Sequence, residues 1–152
     1  MIAHYVPFAI GAILIAAIVI ELRTGRIPNW LTLLPFIAFI GVAATTPDKA
    51  ALGWQLGLAA AVFAVGILLF VFGGFGAGAV KLMAGLALFV PLDKGGYALI
   101  VFGATLFVGT FVMINLRRMV GSPDSNWNVL AKNVLPMSVP IGLAGLAALF
   151  WL

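Results

Sequence analysis

The chain alternates long apolar runs with short clusters of charge, glycine and proline. Reading between these breaks predicts six helical segments: Ile2 to Ile20, Pro28 to Ala44, Ala51 to Phe72, Val80 to Pro91, Tyr97 to Leu116 and Leu135 to Leu152. The runs are apolar on every helical face, which is the pattern of helices in lipid rather than of amphipathic surface helices. A spanning helix needs about 20 residues, with about 17 tolerated. The fourth segment is therefore too short to cross unaided. It follows Gly73-Gly74-Phe75-Gly76-Ala77-Gly78, and irregular backbone at membrane depth must be buried in protein or line a wet cavity. The expected fold is an all-α, polytopic membrane bundle of about six segments, with one short segment fed by a glycine loop. With no repeat, linker or low-complexity tail, residues 1–152 read as a single domain.

Composition turns this pattern into a class. At 64% apolar and 8% charged residues, with a mean hydropathy of +1.25, the chain has too little polar surface to cover a soluble core. Its partner is the lipid bilayer. The formal charge of +4 does not point to nucleic acid, because basic residues beside apolar spans set orientation. Arg23, Arg26, Lys81, Arg117, Arg118 and Lys132 fall in alternate connections, while the others hold Lys49 and Lys94, each beside an aspartate. This bias places the first set in the cytoplasm and both termini outside. Tyr5, Trp30, Trp54, Tyr97 and Trp151 lie near segment ends, as interfacial aromatics do, and Trp127 belongs to the polar stretch Gly121 to Lys132. The N-terminal run has no basic n-region or small-x-small cleavage site and is expected to be kept as a span. Cysteine is absent and His4 is the single histidine, so thiolate chemistry is excluded and no metal or cofactor is expected. Gly53 with Gly57, and Ala144 with Ala148, are spaced for close helix approach.

Two stretches carry candidate chemistry. The first is Glu21-Leu22-Arg23-Thr24-Gly25-Arg26-Ile27-Pro28-Asn29-Trp30, an acid at a helix end followed by a helix restart. Pro28 suits the first turn of a helix and pushes Ile27 out of the helical region. The plain role of Glu21 is an ion pair with Arg23, Arg26 or Lys81; the sharper one is a carboxylate held at the membrane boundary for use. The second stretch is Gly73 to Lys81. It fails the phosphate-loop pattern, since Gly78 is followed by Ala79 and Val80, and it fails the dinucleotide fingerprint for want of a βαβ unit. Four glycines in six residues supply backbone freedom and close approach, either for a substrate backbone or simply for a flexible loop.

Together, an acid followed by L-R-T-x-R-I-P-N, then G-G-x-G-x-G-x-V-K-L before a short helix, then Leu-Pro-Met-Ser-Val-Pro-Ile-Gly at the last segment, resemble the type IV prepilin peptidase family across essentially the whole chain. The likeness is greatest to the short branch that serves tight-adherence (Flp-type) pili. It implies a multi-pass protein of the bacterial inner membrane, an aspartic endopeptidase of the GxGD kind. Such a protein removes basic leaders from prepilins at the cytoplasmic face, cutting after a glycine just before the pilin's hydrophobic segment. The family's two catalytic aspartates map onto Glu21 and Ala79. Arg26, Pro28, Asn29, Gly74, Gly76, Gly78 and Lys81 would then belong to the motifs that frame the substrate groove. Lys81 either snorkels at a helix end or steadies the dyad's charge or the loop. Arg23 and Arg26 are expected to anchor topology, since a basic leader would be repelled.

Neither mapped position is aspartate. An aspartic dyad needs two carboxylates sharing a proton around a lytic water, and Ala79 has no titratable group. Glu21 keeps the charge but adds a methylene. The expectation is a chain that is catalytically silent as written, with Asp48 and Asp93 on the opposite side and Asp124 in a loop without a glycine scaffold. An alanine inside an otherwise intact G-x-G-x-V-K stretch is what exchange of the reactive side chain alone would leave. Two other readings stay open: a pseudopeptidase that binds pilin-like helices without cutting them, and a small transporter built around the broken segment at Gly73 to Gly78.

Overall fold

A computed structural model describes residues 2–73, 75–120 and 136–150. The chain is all-helical over these residues: α1 (Ile2–Thr24), α2 (Asn29–Thr45), α3 (Lys49–Val71), the short α4 (Ala77–Ala87), a 3₁₀ turn at Leu92–Lys94, α5 (Gly95–Val120) and α6 (Ser138–Phe150). Trp127, Lys132, Asp124 and Trp151 from the sequence reading lie outside the described residues.

Three helices, α1, α3 and α5, are long and apolar enough to cross a membrane. The second and sixth segments, expected as spans, give the shorter α2 of 17 residues and α6 of 13. α6 starts at Ser138 because Pro136 and Met137 form the turn that launches it, with the Val139 N–H donating to the Pro136 carbonyl. The outward faces of α3 and α5 carry large exposed apolar side chains, among them Leu68, Phe107 and Leu99, as helices solvated by lipid do. Tyr5, Trp30, Trp54 and Tyr97 are exposed near helix ends, in keeping with the interfacial role expected of them.

Helix α4 is the centre of the fold. It packs against α2, α3 and α6, and nearly every side chain from Ala79 to Leu88 is buried. The expected segment was Val80 to Pro91; the helix begins and ends earlier. Gly76, with extended backbone at ψ 149°, releases the chain into α4 at Ala77. At the far end, i→i+3 bonds from Phe89 and Val90 to the carbonyls of Leu86 and Ala87 tighten the last turn ahead of Pro91, whose ring keeps the preceding residue out of the helical region. One apolar cluster joins Ile10, Leu14 and Ala17 of α1 with Leu31 of α2, Ala79, Leu82 and Leu86 of α4, and Ile141 of α6.

Close helix approach occurs at other glycines than Gly53 and Gly57, while Ala144 of the alanine pair is buried in α6. Gly53 and Gly57 face open space, whereas a Cβ on Gly145 of α6 would meet Leu14 at 2.8 Å and one on Gly142 would meet Ile18 at 2.6 Å. These two glycines set how near α6 lies to α1.

Candidate functional site

The end of α1 is made by Gly25, whose φ of +74° suits a residue without a Cβ. Its N–H donates to the Glu21 carbonyl at 2.7 Å, and Thr24 Oγ1 closes the bend by donating to the carbonyls of Ile20 and Arg26. Pro28 then stands at the N-cap of α2, one place earlier than its expected first-turn position, with extended backbone and its carbonyl accepting from Leu31 and Thr32. The elbow is thus held by local hydrogen bonds on both sides of Arg26, whose side chain is exposed.

The glycine loop docks on this elbow. Gly73 turns the chain with φ +76°; Gly74 lies outside the described residues. Gly76 is the exposed N-cap of α4. Gly78 sits in the first turn of α4 so close to the elbow that an added Cβ would lie 2.9 Å from the Ile27 carbonyl oxygen and 3.0 Å from Ile27 Cβ. One turn on, Lys81 Nζ donates to Asn29 Oδ1 at 2.9 Å. Pro28, Asn29, Gly78 and Lys81, far apart in sequence, therefore meet at one end of the bundle.

Both positions mapped to catalytic aspartates are buried. Glu21, 6% exposed, continues the inward stripe Ile10, Leu14, Ala17 along α1. Ala79, 2% exposed, lies in the apolar cluster with Ala17 and Ile141. Ala17 is one turn before Glu21 on α1, and Ile141 is one turn after Ser138 on α6. Ser138 is the partner that sequence reasoning missed: its backbone N–H donates to Glu21 Oε2 at 2.6 Å. Lys81, one of the ion-pair partners expected for Glu21, donates to Asn29 instead. The Ser138 hydroxyl lies beside the same carboxylate yet closes no hydrogen bond of regular geometry, although it is fully buried. A serine between two prolines at the start of an apolar run was the available signal for a helix start; nothing in the sequence linked it to residue 21.

The other described acids stand apart. Asp48 caps α3, its Oδ1 accepting from the N–H groups of Ala50 and Ala51 at 3.0 and 3.1 Å. The 17 residues of α2 separate it from the elbow, a distance of about 25 Å. Asp93 is exposed in the 3₁₀ turn beyond the far end of α4. Among the described residues the site thus offers one buried carboxylate, an apolar first turn of α4 and a cation bound to an amide, set at the junction of four helix ends.

A model of the type IV leader peptidase family matches residues 8–114. No curated protein matches the chain significantly, and no solved structure does. The match takes in both the elbow and the glycine loop and ends within α5, before Ser138. It covers more than half of the 152 residues, and the chain belongs to the type IV leader peptidase family.

Proposed function

We propose that this chain carries the prepilin-cleaving architecture of its family, in the short Flp-type branch, but lacks the chemistry to cut. In this reading a prepilin enters at the cytoplasmic face of the bacterial inner membrane and lies extended against the joined elbow and glycine loop. Positions 21 and 79 flank its scissile bond. The observation that carries the reading is the seating of Gly78 on the Ile27 carbonyl, which brings the two motifs of the family into one place.

Hydrolysis by an aspartic dyad requires one carboxylate to take a proton from the attacking water while the other, protonated, polarises the scissile carbonyl. Glu21 can fill one role. Ala79 fills neither, and loss of a general acid or base costs about 10²- to 10⁴-fold, more where the two act as a unit. The added methylene of Glu21 displaces the reacting oxygen further. The chain as it stands therefore binds prepilin and leaves it uncut. Co-expression of a Flp-type prepilin from the source organism with Ala79→Asp, alone and with Glu21→Asp, tests this. Leader removal that appears with aspartate at 79 supports the reading, and an uncut prepilin beside normally inserted double variant overturns it.

A second reading is favoured by one feature: the Glu21 carboxylate is engaged by the start of α6. A pseudopeptidase that escorts pilin-like helices has no need of a free carboxylate at 21. It predicts that prepilin co-purifies with the parent chain and that restoring aspartate at 79 brings no cleavage.

A further inference from the structure

The first turn of α6 has an unusual supply of hydrogen-bond acceptors. A helix leaves its first N–H groups without intrahelical partners, and a Ser, Thr, Asp or Asn at the N-cap commonly accepts from one of them. Here the residue before Ser138 is Met137, whose thioether is at best a weak acceptor. The Val139 N–H reaches the Pro136 carbonyl and the Ile141 N–H reaches the Met137 carbonyl, each at 3.3 Å. Pro140 has no N–H to satisfy. The Ser138 N–H is left, and its acceptor is Glu21 Oε2 at 2.6 Å, 117 residues away. The buried hydroxyl of Ser138 lies beside the same carboxylate but closes no hydrogen bond of regular geometry, so the N–H makes the defined contact.

Glu21 is so placed that its two ends do different work. Its backbone carbonyl accepts from Gly25 and closes α1, while its side chain opens α6. The accepting carboxyl oxygen also faces the positive end of the α6 dipole, the favourable arrangement. Below this junction α6 lies tight against α1 at Gly142 over Ile18 and Gly145 over Leu14, so the register that presents the Ser138 N–H to residue 21 is fixed by packing.

We propose that Glu21 is the N-cap of α6, supplied in trans by α1, and that this is why position 21 is glutamate. An aspartate there would be shorter by one C–C bond, about 1.5 Å, and from 2.6 Å would withdraw beyond hydrogen-bond reach of Ser138. Glu21 is thus a positioning residue for the last helix, and the departure from the family's aspartate has a structural purpose. The inference stands apart from the peptidase reading, since no substrate takes part in it.

Amide hydrogen exchange on the full chain in lipid nanodiscs tests it, comparing the parent with Glu21→Asp, Glu21→Gln, Glu21→Ala and Ser138→Ala. Removing a charge-assisted cap should speed exchange across the first turn of α6 by about tenfold or more in Glu21→Asp and Glu21→Ala. Glu21→Gln, which keeps the length and one acceptor oxygen, should show a smaller rise. Ser138→Ala, which keeps the backbone N–H, should match the parent, and α3 should exchange alike in all five proteins. The proposal is overturned if Glu21→Asp protects α6 as well as the parent does, or if Ser138→Ala deprotects it as much as Glu21→Ala. Should the alanine variant fail to insert, Glu21→Asp takes its place in the comparison with Ser138→Ala.

Discussion

Lys81 Nζ donates to Asn29 Oδ1 at 2.9 Å, across 52 residues of sequence, and so ties the second turn of α4 to the first residue of α2. Both side chains are largely accessible, and the bond is worth less than a buried one. Lys81→Met or Asn29→Ala should each lower stability by about 1 kcal/mol, read as a small drop in Tm in detergent. The double variant should cost little more than either single one, because the two residues share one interaction. Fully additive losses would show that the pair does not act as a tie.

Gly78 makes a sharper prediction. Its missing Cβ is what lets α4 approach the Ile27 carbonyl, and backbone on the other side cannot move aside cheaply. Gly78→Ala should therefore destabilise by about 1–3 kcal/mol despite alanine's better helix propensity. Gly76, with open space around it and φ of −79°, should accept alanine nearly without cost. Equal Tm values for the two variants would contradict the docking of loop on elbow.

Ser138→Ala removes a fully buried hydroxyl that lies beside the Glu21 carboxylate without a hydrogen bond of regular geometry. So loose a contact contributes little beyond the backbone N–H bond, and the variant should stay within about 1 kcal/mol of the parent. A larger fall in Tm would show that the hydroxyl, and not the N–H alone, holds the carboxylate.

Placing aspartate at 79 should cost stability. The site is 2% exposed and belongs to the apolar cluster that includes Leu14, Ala17, Ile27 and Ile141, and a buried carboxyl without a full set of partners costs about 1–3 kcal/mol or more. Ala79→Asp should melt lower than the parent, and Ala79→Ser should fall between them. An Ala79→Asp variant as stable as the parent would place this side chain in a wetter setting than its burial indicates.

The number and order of helices were legible because lipid demands long apolar runs, and the charges between them mark where each run ends. Faces were not legible. In α1 the inward stripe Ile10, Leu14, Ala17 is flanked by residues equally apolar, such as Ile13 and Ile15, so periodicity carries no contrast until Glu21 continues the stripe. The start of α4 was placed late because Ala77, Gly78 and Ala79 read as loop, whereas packing of Gly78 on Ile27 outweighs glycine's poor helix propensity. Likewise Gly53 and Gly57 have the spacing of a packing motif but face outward, while Gly142 and Gly145 carry the contact with α1. The elbow and loop were found as sequence motifs. The link from Glu21 to Ser138 was not, since a backbone N–H donor is common to almost every residue and leaves no mark in the sequence.

The proposed function requires side chains 21 and 79 to border a single cleft. The chain contains no cysteine, so Glu21→Cys with Ala79→Cys can be joined by a short thiol-specific linker in the otherwise unaltered protein. Asn29→Cys with Lys81→Cys, at a pair already in hydrogen-bond contact, serves as the positive control. The account predicts efficient cross-linking of both pairs in membranes; a control pair that links while the 21/79 pair does not would contradict it.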